Sequence, residues 1–210
     1  MQMTKKQRAV LCINALEKEY PDAICSLNYK NPFELLIATR LSAQCTDARV
    51  NIVTPALFKR FPDCYSLASA DLSEVEELIK TCGLYKSKAK SLLGISKMLC
   101  EEFDGKIPDT IEELTRLPGV GRKTANLVCG DIYSKPAVVA DTHFIRICNR
   151  LGFINTKDPY KVEMQMRNIL PQNKSNDFCH RCVLHGRKVC TARRAFCENC
   201  VLNEFCPKKV

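Results

Sequence analysis

The segment Leu114–Asn126, which reads LTRLPGVGRKTAN, limits the possible folds of this chain more narrowly than any other segment. Two stretches with helical periodicity meet in it across the break Leu117–Gly121. Proline fixes one backbone torsion and lacks an N–H, whereas glycine tolerates positive φ and lets another backbone approach closely. We therefore predict a tight turn between two helices, with outward-facing backbone N–H groups beside a helix N-terminus. Such a turn is suited to binding an anion such as phosphate.

An ordinary helix–helix connection is the alternative interpretation, and a cluster of Gly and Pro alone does not exclude it. Here Arg122 and Lys123 follow the turn directly, and Gly119 and Gly121 flank one apolar residue, Val120. That pattern is typical of the helix-hairpin-helix, which grips a nucleic-acid backbone without reading its bases. The segment resembles the helix-hairpin-helix DNA glycosylases, and most closely the endonuclease III family. The resemblance extends over nearly the whole chain.

The charge balance agrees with a polyanionic partner. The chain has 32 basic and 23 acidic residues, which gives a formal net charge of +9. It has no apolar run long enough to span a membrane, and its polar N-terminus lacks the apolar core of a secretory signal. We expect a protein of the bacterial cytoplasm, associated with the nucleoid through DNA, with no membrane partner.

Capping signals and apolar spacing predict helices along most of the chain and no sustained strand alternation, so the predicted fold is all-α. Thr4-x-x-Gln7 resembles a capping box, and Asn31-Pro32-x-Glu34 is a strong helix start. The other predicted helices are 47–59, 71 or 73 to 80, 86–102, a short one capped by Asp109 or Thr110, 122–132, one capped by Asp141 or Thr142 that ends at 150, and 158–171.

The resemblance implies a more specific layout than periodicity can give. It implies a six-helix domain over residues 23–134, with the helix-hairpin-helix at about 110–132. An iron–sulfur domain then joins residues 1–22 to residues 135–210. It also implies that a DNA-binding cleft lies between the two domains.

Six of the fourteen cysteines fall between Cys179 and Cys206. Cys190, Cys197, Cys200 and Cys206 are separated by six, two and five residues, and four thiolates suit either an iron–sulfur centre or zinc. The endonuclease III family uses this spacing for a 4Fe–4S cluster, and the resemblance implies one here. The alternative is a zinc ribbon formed by Cys179 and Cys182 with Cys197 and Cys200.

The loop between the first two of these cysteines is basic. Arg193 and Arg194 lie within it. By the resemblance, this loop meets DNA phosphates, so the metal centre also shapes a surface that contacts DNA.

Two residues are candidates for the chemistry. Lys123 follows Arg122 in the first turn of a helix, where a neighbouring cation, the helix dipole and burial each favour loss of the ammonium proton. By position alone, the favoured interpretation of Lys123 is a phosphate contact, and that of Asp141 is a helix N-cap. The resemblance implies that Lys123 in LPGVGRK is the nucleophile and that Asp141 in VADTH is the catalytic carboxylate.

Two further residues have a role only through the resemblance. Gln44, in the polar break SAQCTD, and Leu84, in the turn GLY, match residues that fill the gap left when a nucleotide is flipped out of DNA. Their ordinary interpretations are a capping glutamine and a core leucine. His143 is expected to support the DNA strand or the site.

The implied activity is that of a bifunctional DNA N-glycosylase and abasic-site lyase acting as a monomer on double-stranded DNA. Its substrates are oxidised or ring-saturated pyrimidines and abasic sites, cleaved on the 3′ side by β-elimination through a lysine Schiff base. One alternative is a monofunctional adenine glycosylase of the same superfamily, whose members usually lack lysine at position 123. The other is a non-enzymatic DNA-binding module held together by metal.

Overall fold

The computed structural model describes residues 3–208, and within that range it contains α-helices, two 3-10 turns and loops but no β-strand. The prediction of an all-α fold is confirmed. In chain order the α-helices are α1 Lys5–Glu19, α2 Pro32–Ser42, α3 Asp47–Arg60, α4 Cys64–Ala68, α5 Leu72–Leu78, α6 Tyr85–Glu102, α7 Ile111–Leu114, α8 Arg122–Tyr133, α9 Thr142–Arg150, α10 Pro159–Ile169 and α11 Ser175–Lys188. No helix in the described range is long and apolar enough to cross a membrane.

The helix starts predicted from capping residues are confirmed. The Gln7 N–H donates to Thr4 Oγ1 at 3.2 Å and the Thr4 N–H donates to Gln7 Oε1 at 3.0 Å, which completes the capping box of α1. The Glu34 N–H donates to Asn31 Oδ1 at 2.9 Å at the start of α2. For three helices the sequence offers two candidate N-caps each. The structure shows Asp71 as the N-cap of α5, Thr110 as that of α7 and Asp141 as that of α9.

Two helices, α4 and α11, are not predicted from the sequence. Helix α11 buries Phe178, Cys182 and His185 at helical spacing, so a periodic signal is present. The signal is obscured because two of its buried positions, Cys179 and Cys182, are cysteines that also fit a metal-site pattern. Helix α4 has five residues, which is too short for apolar periodicity to reveal it.

The described chain divides into two compact units. The central unit is Ser26–Tyr133. The terminal unit combines the segment that ends at Cys25 with the segment that begins at Ser134. In the central unit α2 is buried along most of its length, from Phe33 to Leu41, and packs against α3, α6 and α8. This helix is therefore the core element around which the hairpin helices α7 and α8 are placed.

In the terminal unit the first helix of the chain packs against two of the last. Helix α1 contacts α10 and α11, and α9 contacts α11. The Lys174 Nζ lies 2.9 Å from Glu17 Oε1, and the Arg181 Nε donates to the Tyr20 carbonyl at 3.3 Å. Because these partners are more than 150 residues apart, the terminal unit depends on both ends of the chain.

We predict that Leu16→Ala destabilises the terminal unit by about 2–5 kcal/mol, because Leu16 is completely buried in α1 and alanine leaves a cavity. The matched control is Val10→Ala in the same helix, where the side chain is 43% exposed and we expect a change within about 0.5 kcal/mol. Urea unfolding of the two variants measures both values. Equal effects would show that α1 is not packed as described.

Candidate active site

The turn between α7 and α8 is closed by its own backbone and rests on α2. The Val120 N–H donates to the Leu117 carbonyl at 3.0 Å, and the Val120 side chain is buried. Gly119 has a φ of +76°, and a Cβ at this position would lie 2.6 Å from Arg40 Nε. A Cβ at Gly121 would meet nothing within 4 Å. Gly119 is therefore required by the fold, whereas Gly121 leaves an open approach to the turn.

The N–H groups at the start of α8 lie beside this turn. The first turn of any α-helix leaves N–H groups without an intrahelical acceptor, so the predicted anion site has donors at this point. Val120 is an exception, because its N–H is used within the turn. Among the residues predicted to contact DNA here, Arg122 is half-buried and Gly121 is exposed.

Lys123 is the second residue of α8 and its side chain is exposed. We expected burial to favour loss of the ammonium proton from Lys123, and this expectation is wrong for the free chain because the side chain is exposed. The physical reason is its place in the helix, since the buried part of α8 begins only at Ala125. The exposed amine is accessible to a large substrate at the edge of the hairpin.

Gln44 and Leu84 lie in two neighbouring turns of the central unit. Both have left-handed backbone conformations, with φ of 53° and 59°. A Cβ at Gly83 would lie 3.3 Å from the Gln44 carbonyl oxygen, so the two turns touch. Each such conformation costs a non-glycine residue about 1–2 kcal/mol, and strained residues of this kind cluster at functional sites.

The ordinary interpretations of these two residues do not fit their surroundings. Leu84 is 61% exposed and therefore is not a core leucine. Gln44 does not cap α3, because Thr46 holds that position and accepts the Arg49 N–H. Two exposed side chains thus project from adjacent strained turns.

Lys88, a buried lysine that was not predicted from the sequence to have a role, links α6 to α2. Lys88 of α6 is 1% exposed, and its Nζ donates to the Leu41 carbonyl near the end of α2 at 2.7 Å. Burial lowers the pKa of Lys88. Its position one turn before the buried Leu92 in an apolar stripe is the signal that could have identified it.

In the terminal unit, Asp141 is the N-cap of α9. Its Oδ1 accepts the Phe144 N–H at 2.7 Å, so the capping interpretation is correct. Within the described residues its Oδ2 makes no hydrogen bond, and the residue is half-buried. The cap therefore fixes the carboxylate while one oxygen stays available to a ligand.

Arg146 connects the start of α9 to the cysteine-rich segment. Its guanidinium donates to the Cys190 carbonyl and to the Gly186 carbonyl, each at 3.0 Å, and its Nη2 lies 3.0 Å from His143 Nδ1. Burial lowers the pKa of His143, Asp141 opposes this shift and Arg146 adds to it. The direct contact of His143 is therefore with Arg146, in the first turns of α9.

The four predicted cluster ligands line one cavity of the terminal unit. Cys190, Cys197, Cys200 and Cys206 all face it, together with Arg150 and Lys208. Arg150 Nη1 lies 3.2 Å from Cys190 Sγ, and the Lys208 N–H donates to Cys206 Sγ at 3.4 Å. Converging thiols with N–H donors directed at sulfur fit a cysteine-ligated iron–sulfur cluster.

The zinc-ribbon alternative requires Cys179 and Cys182 together with Cys197 and Cys200. Within residues 3–208, no three His, Cys, Asp or Glu side chains are grouped so that they could hold a single ion. Cys179 and Cys182, the other half of the zinc-ribbon alternative, are buried in α11 and do not line the cavity.

Arg193 and Arg194 lie exposed in the loop that leads from Cys190 to Cys197. The loop is closed by the bridge between Cys190 and Ala195 and by Thr191 Oγ1, which donates to the Arg194 carbonyl at 2.6 Å. The two arginines are consequently presented at the edge of the cysteine cavity on a short, closed loop.

Comparison with known proteins identifies the family. The family model described as "HhH-GPD superfamily base excision DNA repair protein" matches residues 37–172. The chain belongs to the HhH-GPD superfamily. Endonuclease III of Synechocystis sp. is 47% identical over 205 residues, which cover 97% of this chain and 94% of that protein. Endonuclease III of Escherichia coli K12 is 37% identical over 207 residues, covering 99% and 98%.

Solved structures agree with this assignment. A trapped endonuclease III–DNA covalent intermediate, in an estranged-adenine complex, has a TM-score of 0.91 and 40% identity, covering 98% of this chain and 97% of that one. A thermostable thymine-DNA glycosylase shares the fold, with a TM-score of 0.85 at 20% identity. As a superfamily member related to endonuclease III, the chain is a base excision repair enzyme of the DNA glycosylase/lyase class.

We predict that the two hairpin glycines differ in their effect on stability. Gly119→Ala is expected to lower the free energy of unfolding by at least about 1–2 kcal/mol, because it forces a positive φ and a contact with Arg40. Gly121→Ala should change it by less than about 0.5 kcal/mol, since the added Cβ meets nothing. Chemical denaturation of both variants checks this, and a large loss for Gly121→Ala would contradict the described turn.

Proposed function

We propose that the enzyme is a bifunctional DNA N-glycosylase and abasic-site lyase that removes oxidised or ring-saturated pyrimidines from double-stranded DNA. One observation carries the proposal: an exposed Lys123 at the second position of α8, directly after a hairpin that leaves an anion site. A lysine so placed can reach a sugar carbon while the hairpin holds a neighbouring phosphate. The related endonuclease III that was trapped as a covalent intermediate with DNA supports covalent catalysis.

The duplex is held through its backbone. The hairpin donates N–H groups other than that of Val120 to phosphate, and the exposed Arg193 and Arg194 of the terminal unit add charge-assisted contacts. Gln44 and Leu84, projecting from their strained turns, fill the space that the flipped nucleotide leaves. Their fixed backbone conformations reduce the entropy lost when they enter the duplex.

The reaction begins once the damaged nucleotide has left the stack. The unprotonated Lys123 Nζ attacks C1′, the glycosidic bond breaks, and the electron pair leaves with the base, which takes up a proton. The sugar ring opens to give a Schiff base between Nζ and C1′. Loss of a C2′ proton then expels the 3′ phosphate by β-elimination. Water hydrolyses the imine and releases the lysine.

Asp141 assists these proton transfers. Its Oδ1 is engaged by the Phe144 N–H, and Oδ2 accepts a proton from the attacking amine and stabilises positive charge on the sugar as the base leaves. Burial lowers the pKa of the nearby His143, which disfavours an additional positive charge in this part of the site.

The four cysteines that line the cavity of the terminal unit would hold a 4Fe–4S cluster. When bound, it links Cys190, Cys197, Cys200 and Cys206 and so supplies folding energy in a segment with few apolar residues. The same segment carries Arg193 and Arg194, and Arg146 ties it to the helix that begins at Asp141. The protein therefore uses these residues to shape the DNA contact surface, and no reaction step passes through the cluster.

We further propose that the enzyme acts as a monomer on the nucleoid DNA of a bacterial cytoplasm. Both endonuclease III relatives named above, from Synechocystis sp. and Escherichia coli, come from bacteria. Sedimentation of the free protein and of its complex with one duplex should give one chain of 23.8 kDa in each case. A dimer in the complex would contradict this part of the proposal.

The first prediction from this mechanism concerns the nucleophile. Borohydride should trap a covalent adduct between the protein and a duplex with one abasic site, and Lys123→Ala should abolish it while binding of a tetrahydrofuran abasic analogue persists. Lys161→Ala, which removes an exposed lysine from the first turn of α10, is the control and should trap like the wild type. Undiminished trapping by Lys123→Ala would show that another amine is the nucleophile.

The second prediction concerns the cluster. The purified protein should be brown and contain about four irons per chain, as expected for one cubane on four thiolates. Cys200→Ala should lose most of this iron, whereas Cys179→Ala should retain it, because Cys179 lies in α11 away from the cavity. Iron and zinc analysis measures both variants, and a colourless zinc protein would support the ribbon alternative.

A further inference from the structure

Helix α6 connects two parts of the proposed DNA interface. Leu84 is its N-cap, and ten residues later Gly94 packs against the hairpin, because a Cβ on Gly94 would lie 3.1 Å from Pro118 Cγ. At 1.5 Å per residue these contacts are about 15 Å apart, which corresponds to about four base-pair steps along a duplex. A DNA strand that extends from the flipped nucleotide to the hairpin would follow this part of α6.

The exposed face of this part of α6 is basic. Lys86 and Lys90, one helical turn apart on the same face, are both exposed. Together with Ser87 and Ser91 they line a shallow pocket of about 460 Å³ whose far side is Pro118 of the hairpin. We call Lys86 and Lys90 the lysine ridge. No motif in the sequence and no step of the proposed mechanism assigns a role to it.

The lysine ridge is unfavourable in the free protein. Like charges four residues apart on a helix repel, at a cost of a few tenths of a kcal/mol. Cations near a helix N-terminus also oppose the helix dipole, and the first turn of α6 contains no acidic residue. Within residues 3–208, neither Lys86 nor Lys90 forms an ion pair. Both features are relieved by an anion bound beside the ridge.

A third cation lies behind the ridge. Arg40 of α2 donates from Nη2 to Ser91 Oγ at 3.0 Å, and it lies directly under Gly119. Its Nε is buried and has no hydrogen-bond partner among the described residues. Nor does any described carboxylate pair with this guanidinium. A positive charge therefore lies under the hairpin with no neutralising group from the protein, which a bound phosphate would provide.

We propose that Lys86, Lys90 and Ser91, with Arg40 behind them, form a phosphate subsite for the DNA strand that runs between the flipped nucleotide and the hairpin. The proposal rests on the proposed function, because it requires that the hairpin and Leu84 engage the same duplex. Its ligand is the DNA backbone, and it reads no base. The subsite would set the register of the strand relative to Lys123.

The salt dependence of binding to a duplex with one tetrahydrofuran abasic analogue tests the proposal. The slope of log K against log salt falls by about 0.9 for each lost phosphate contact. We expect Lys86→Gln and Lys90→Gln each to reduce the slope by about that amount. The control is Lys106→Gln, which removes the same charge from an exposed lysine beyond the opposite end of α6 and should leave the slope unchanged.

Three results separate the outcomes. Slopes reduced in both ridge variants but not in Lys106→Gln support the subsite. Wild-type slopes in the ridge variants, or an equal reduction in Lys106→Gln, overturn it, because the effect would then be absent or only a change in net charge. Failure of the wild-type protein to bind the duplex at all would instead overturn the proposed function. All three lysines are exposed, so circular dichroism should show unchanged folding.

Discussion

The contact between Gly119 and the Arg40 side chain supports the rest of the site. It places the turn of the hairpin directly on α2, the most buried helix of the central unit, and leaves no room for a side chain at Gly119. Pro118 packs beside Gly94 of α6, so the turn is fixed on two sides. Because α8 begins immediately after this turn, the position of Lys123 follows from the same packing.

The second constraint is backbone strain that the surrounding packing maintains. Gln44 and Leu84 adopt conformations that disfavour any residue other than glycine, and they lie in turns that touch. The buried Lys88 holds the helices behind them by its hydrogen bond to the Leu41 carbonyl. Strain of this kind persists only when the neighbouring structure determines it. The arrangement fixes the backbone from which these two exposed side chains project before any substrate is bound.

Local signals in the sequence predicted the all-α fold and most helix starts, because a cap such as Thr4 or Asn31 acts through neighbouring residues. The hairpin was also predictable, since proline and glycine act on their own backbone. Contacts between distant residues were not predictable: the hydrogen bond from Lys88 to the Leu41 carbonyl does not follow from periodicity. The roles of Lys123 and Asp141 came from family resemblance, because by position alone they are a phosphate contact and a cap.

The central claim is that the amine presented by the hairpin forms the bond to the sugar. Peptide mapping of the borohydride-reduced adduct with abasic DNA locates that bond directly, because the reduced sugar stays attached to one side chain through proteolysis. The account predicts the modification at Lys123 in the peptide that spans the start of α8. A modification at the N-terminal amine, or at a lysine outside the hairpin, would contradict it.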